Sequence, residues 1–126
     1  MAGQSLNFRP TILNLLLYTG DGLSLKLNVK DGAGSPVDIS GTVTAQIRAD
    51  RLHPLDPPLA SFSVSLVDAY LGIIGLTLTA DQSLNLPLNT NSDRFTGVWD
   101  VQWTPVDRQP RTLVQGIVEC VPDVTR

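Results

Sequence analysis

The side chains able to do acid–base, nucleophilic or metal chemistry are few and far apart in this sequence. There is one histidine, His53, and one cysteine, Cys120. A Ser-His-Asp or Cys-His system needs a base beside a nucleophile and a third group that orients the base. His53 sits in Asp50–Pro58, a stretch with three prolines and no serine, threonine or cysteine. It reads as a surface or contact residue. Cys120 is in phase with Val114, Gly116 and Val118 in an apolar run, so it reads as a small buried hydrophobe. A reactive thiol needs a neighbouring positive charge and exposure, and Val118, Glu119 and Val121 offer neither.

Metal sites need Cys, His, Asp or Glu clustered at ligand spacing. The carboxylates here fall singly, many in turn-like contexts such as Asp21, Asp31 and Asp68, where Asp bonds the local backbone. Gly20-Asp21-Gly22 and Gly32-Ala33-Gly34 are not phosphate loops, because neither opens a helix or carries a following Gly-Lys-Ser/Thr. The remaining candidates are aromatic. Trp99, Val101 and Trp103 share one face of a strand, which anchors a core. The alternative is a platform for a sugar or a partner protein. Trp103, near the strand end, is then the residue expected to be partly exposed, with Tyr70 in a turn as a second contact residue.

The elements that position these residues are strands. Leu23, Leu25, Leu27 and Val29 alternate with Ser24, Lys26, Asn28 and Lys30; Val43, Ala45 and Ile47 alternate with Thr44, Gln46 and Arg48; Phe62, Val64 and Leu66 alternate with serines. A period of two puts one face of each strand in a core. Thr11–Tyr18 is a Leu-rich strand, Val67–Tyr70 a turn, and Ile73–Leu78 the second strand of a hairpin. Thr79-Ala80-Asp81-Gln82 fits a capping box that opens one or two helical turns, with Leu84 and Leu86 expected to plug one end of the core. Leu88–Arg94 is a polar loop, and Phe95–Trp103 and Thr112–Val121 are the last strands. About seven short strands at regular spacing predict an all-β, immunoglobulin-like antiparallel sandwich. Residues 11–121 would form it, with an N-terminal arm (1–10) and a C-terminal tail (122–126).

Composition narrows the function classes. The chain has 126 residues, enough for one domain, and a net charge of −3. No run of Lys or Arg appears, which argues against a nucleic-acid binder. Charged residues make up 17%, against a usual share of about 25%, so the surface is either largely covered by partners or solvated through Ser, Thr, Asn and Gln. The first residues lack the basic flank and apolar stretch of a signal peptide, and Ile12–Tyr18 is too short to span a bilayer. The expectation is a protein made in the cytoplasm, not secreted and not in a membrane.

Several motifs carry a resemblance. They are Ser35-Pro36-Val37-Asp38-Ile39-Ser40-Gly41 followed by Ala45-Gln46-Ile47-Arg48, then Leu76–Gln82, Gly97-Val98-Trp99-Asp100-Val101 and Leu113-Val114-Gln115-Gly116. Over about Gly20–Arg126 the chain resembles the immunoglobulin-like domains at the N-terminus of baseplate upper proteins in lactococcal-type siphophages. The resemblance implies a multicopy structural subunit of a tailed-phage virion that works by protein–protein attachment to itself and to other virion proteins. Tail tip, baseplate, neck and capsid decoration are the locations it allows. No receptor-binding domain follows Arg126, so an adaptor, hub or decoration role is expected. No catalytic, cofactor-binding or metal-binding residues are expected. The contact residues expected on the arm, the proline-rich loop, the turn and the tail are Phe8, Arg9, Pro10, Arg51, His53, Pro54, Pro57, Tyr70, Trp103, Val124 and Arg126. The alternative is a carbohydrate-binding module that contacts the host surface through Trp103, Tyr70 and loop carboxylates.

Overall fold

The computed structural model describes residues 10–50, 57–87, 94–106 and 108–122. Its strands are β1 (Thr11–Ile12), β2 (Leu15–Tyr18), β3 (Leu23–Asn28), β4 (Gly41–Arg48), β5 (Ala60–Ser61), β6 (Ser63–Asp68), β7 (Ile73–Leu78), β8 (Phe95–Pro105) and β9 (Arg111–Val121), with one helix, α1 (Ala80–Leu84), after β7. The larger sheet runs β1-β9-β8-β4-β5, with β2 following β1 along the same side of β9; the smaller runs β3-β7-β6. They form an all-β sandwich, and, apart from β1 and β2, the strand neighbours are those of the immunoglobulin arrangement. Since β1 and β2 are one broken run, and β5 and β6 another, the described segments amount to the seven expected strands.

The alternating residues close the core between the sheets. Ala45 and Ile47 from β4, Trp99 and Val101 from β8, Val118 and Cys120 from β9, and Ile74, Leu76 and Leu78 from β7 are all buried. At the Val101/Gln102 step the β8–β9 register shifts, so Leu113 is an extra residue on β9, a β-bulge. Both Leu113 and Val114 are buried there.

Four details differ from the sequence reading. The sandwich is not wholly antiparallel, since β1 and β2 both run parallel to β9. The expected strand 11–18 breaks at Leu13-Asn14. The run from Ala60 changes sheets at Phe62, whose amide bonds Ala45 O of β4 at 2.8 Å before β6 joins β7. Phe62 is buried against Trp99, but Val64 is half-buried and Leu66 exposed, because β6 is a sheet edge. Finally, β6 continues through Asp68, and the turn is Ala69–Gly72. Gly72 takes φ +70 there, and a Cβ on it would meet Val29 O at 2.6 Å and Val37 O at 2.7 Å, so this position requires glycine.

The capping box forms as read. Gln82 N donates to Thr79 Oγ1 at 3.2 Å and Thr79 N to Gln82 Oε1 at 3.0 Å. Of the two leucines expected to plug the end, Leu86 is buried and Leu84 is exposed. Ser83 takes the inward position instead. Its hydroxyl donates to Asp21 O at 2.8 Å and accepts from Gly20 N at 2.9 Å, tying α1 to the β2–β3 turn. A helical turn rotates successive side chains by about 100°, so only one of Ser83 and Leu84 faces the core.

Candidate interaction surface

The first strand is attached through an interlock at its break. On β9 the inward position opposite Trp99 is Gly116. The chain at Leu13 occupies the space a side chain would take there: a Cβ on Gly116 would lie 2.1 Å from Leu13 O. That carbonyl accepts the Trp99 indole N–H at 2.7 Å. Leu13 N donates to Gln115 O at 3.0 Å, and Asn14 Oδ1 accepts from Ile117 N at 2.9 Å. The break therefore leaves no backbone polar group of Leu13 idle, and it fixes the direction of the side chains on either side.

Alternation then sets an apolar stripe on the outside of the larger sheet. Leu15 and Leu17 of β2 turn into the core, so Leu16 and Tyr18 turn out, 57% and 46% exposed. Ile12 on β1 is 63% exposed and Ile117 on β9 48%. Val98 of β8 sits opposite Ile117 and is half-buried. A groove of about 600 Å³ runs here, walled by Ile12, Asn14, Ala49, Thr96, Val98 and Ile117. Beside it, across β8 and β4, lies a polar cleft of about 380 Å³ whose walls include Gln46, Arg48, Asp100, Gln102 and Gln115. Arg48 Nη2 donates to Gln46 Oε1 at 2.8 Å, and Gln102 Nε2 to Asp100 Oδ2 at 3.5 Å. One face thus carries an apolar half and a hydrogen-bonding half. Contiguous apolar residues on a sheet face mark interaction surfaces.

The four expected contact residues that are described are not gathered on this face. Phe8, Arg9, Arg51, His53, Pro54, Val124 and Arg126 lie outside the described residues. Pro10 is half-buried ahead of β1, Pro57 is exposed ahead of β5, and these strands are opposite edges of the larger sheet. Tyr70 is 76% exposed in the β6–β7 turn. Trp103 is the correction. It is 6% exposed, and its indole N–H donates to Ser40 O at 3.1 Å. Its place near the strand end suggested exposure, but the chain ahead of β4 closes over it and supplies the acceptor. The stripe itself was missed. The available signal was that Leu15, Leu16, Leu17 and Tyr18 are apolar at every position, and a strand apolar on both faces is one covered on both faces.

Among the described residues no group of three or more His, Cys, Asp or Glu side chains is placed to hold a metal ion. Cys120 is buried, its sulfur 3.6 Å from Thr19 Oγ1 and 3.8 Å from Ser83 O. The exposed Arg94–Glu119 pair, at 3.4 Å, contributes little in water. Asp38 is held below the usual carboxylate value, first by the Ser40 hydroxyl at 2.6 Å and then by the Ser40 amide at 2.9 Å. Among the described residues no helix is long and apolar enough to cross a membrane. No protein-family model matches the sequence, and no curated protein matches it.

Proposed function

We propose that this chain is a non-enzymatic structural subunit of a tailed-phage virion, present in many copies and acting through protein–protein contacts with itself and with other virion proteins. The phage assignment rests on the motif resemblance from Ser35 to Gly116. The assembly role is supported by one observation: the exposed stripe of Ile12, Leu16, Tyr18 and Ile117 on a rigid sheet face. Burying such side chains against a partner contributes roughly 25 cal/mol per Å² of apolar surface. A sandwich that presents such a face supports an adaptor, hub or decoration role within that reading.

A sugar-binding module calls for an exposed aromatic platform. Trp99 and Trp103 are both in the core. Tyr18 and Tyr70 are exposed at opposite ends of the sandwich: Tyr18 precedes the β2–β3 turn beside α1, and Tyr70 lies in the turn beside Val29 and Val37. No observation favours that reading over assembly.

Light scattering of the purified protein, with antibody labelling of whole particles, tests the proposal. A defined oligomer with label on the tail supports a tail hub or baseplate subunit, and label spread over the head supports a decoration protein. A monomer that labels no particle overturns the reading. The paired variant is Leu16→Lys, which sets a cation beside Glu119, its partner on β9. It should leave the unfolding midpoint within about 0.5 kcal/mol of the parent, as for most surface changes, while reducing incorporation into particles at least about tenfold, a loss of ~1.4 kcal/mol of contact energy.

A further inference from the structure

The smaller sheet is short of a strand. In the immunoglobulin arrangement the first strand lies beside the second, giving a sheet of four. Here β1 and β2 lie along β9 instead, and β3 has β7 on one side and no ladder on the other among the described residues. Val29 N donates to Gly72 O. By the period of two, the amides of Leu23, Leu25 and Leu27 also point to β7, and those of Ser24, Lys26 and Asn28 point outward from the edge. The ladder is regular over six residues, with no bulge and no proline. Edges are usually blunted by such features, and Lys26 is the one charge here.

The side-chain layer has the same gap. Leu23, Leu25 and Leu27 face inward but are only half-buried, while Ile74, Leu76 and Leu78, paired with them on β7, are closed at 0–1% exposure. A crevice of about 280 Å³ opens between Leu27 and Val29 on one side and Thr11, Leu13 and Leu113 on the other.

The sequence holds a segment suited to this edge. Residues 1–9 precede β1, and within them Leu6 and Phe8 alternate with Ser5, Asn7 and Arg9. The nine residues ahead of Pro10 span about 30 Å when fully extended at 3.3 Å per residue. Thr11, to which this segment is joined through Pro10, stands beside the C-terminal end of β3. Reaching its own β3 edge requires a full reversal; reaching a neighbour's does not.

We propose that residues Ser5–Arg9 of a second copy add to β3 as the fourth strand of the smaller sheet. Their backbone meets the amides of Ser24, Lys26 and Asn28, and Leu6 and Phe8 cover the half-buried leucines. This is strand addition to a sheet edge, made reciprocal or serial by the symmetry of the assembly. It deepens the assembly reading and rests on it, naming a second copy as the partner at this edge.

The test uses the full chain. Copies carrying Asn7→Cys are mixed with copies carrying Lys26→Cys; each residue is the middle of its run, so the pairing does not depend on strand direction. A disulfide-linked dimer between the two kinds of copy is expected. Hydrogen exchange at Ser24, Lys26 and Asn28 should be slowed at least about tenfold in the assembled protein and restored to the open rate by Leu6→Asp with Phe8→Asp. No mixed dimer, or an intramolecular bond in the double-cysteine chain with exchange independent of concentration, overturns the proposal in favour of a chain that folds back. Slowing that occurs only when other particle proteins are added overturns it in favour of a different partner. If the Leu6→Asp/Phe8→Asp variant assembles as the parent does, the arm proposal falls and the assembly reading stands. If the parent itself is monomeric and absent from particles, both fall.

Discussion

The inner faces of the two sheets are built from the same kind of alternating strand, yet they close to different depths. On β8, Trp99 and Val101 are sealed by β9 and β4 on either side and by Phe62 and β7 across the core. On β3, three leucines of equal hydrophobicity remain half-open because one flank has no strand among the described residues. The depth of burial is thus a property of how many neighbours a strand has. An apolar residue on a sheet edge contributes less to folding and is left available for association.

The largest expected effect breaks that contrast most directly. Trp99→Ala should cost about 3–5 kcal/mol in urea unfolding, through the cavity it leaves and the orphaned Leu13 carbonyl, whereas Leu25→Ala should cost about 1–2 kcal/mol. A loss of about 2–5 kcal/mol at Leu25, that of a fully buried leucine, would show that the β3 flank is covered in solution. Next is Gly116→Ala, whose new methyl collides with Leu13 O at 2.1 Å. It should lose about 2–3 kcal/mol and alter the fluorescence of Trp99 as its indole loses the acceptor. Gly32→Ala, where nothing lies within 4 Å of the added carbon, is the control and should stay within about 0.5 kcal/mol. Thr79→Ala removes the α1 cap and should cost about 1 kcal/mol.

The smallest effect is electrostatic. The folded Asp38 carboxyl titrates below its unfolded value, so its contribution is present above the unfolded value near 3.8 and lost as pH falls through the lower folded one. Ser40→Ala should reduce this acid-side loss, leaving the share held by the Ser40 amide, seen as a flatter dependence of the thermal midpoint on pH below 4. A profile unchanged from the parent would show that the Ser40 hydroxyl does not hold Asp38.

Much of the fold was legible because its signals are local. The alternation of Leu23–Leu27, Val43–Ile47 and Phe95–Trp103 marks β3, β4 and β8, and Thr79 with Gln82 marks the helix start, since each depends on residues two to four apart. The apolar face was less legible. In β2 both faces are apolar, so alternation cannot say which one the core takes. Trp103 failed for a related reason: its cover comes from Ser40, far away in sequence.

From the residues alone follow the all-β class, the places of most strands, the capped turn between β7 and β8, and the lack of a recognisable nucleophile–base pair. Local periodicity and turn chemistry suffice for these, because they are written within a few residues of one another. Only the tertiary structure decided that the first strand runs parallel to the last, that the chain changes sheets at Phe62, that Leu16 and Tyr18 face out while Trp103 faces in, and that β3 has no strand on one flank among the described residues. Those outcomes depend on which distant strand comes alongside, and that is settled by competition among long-range pairings for the core.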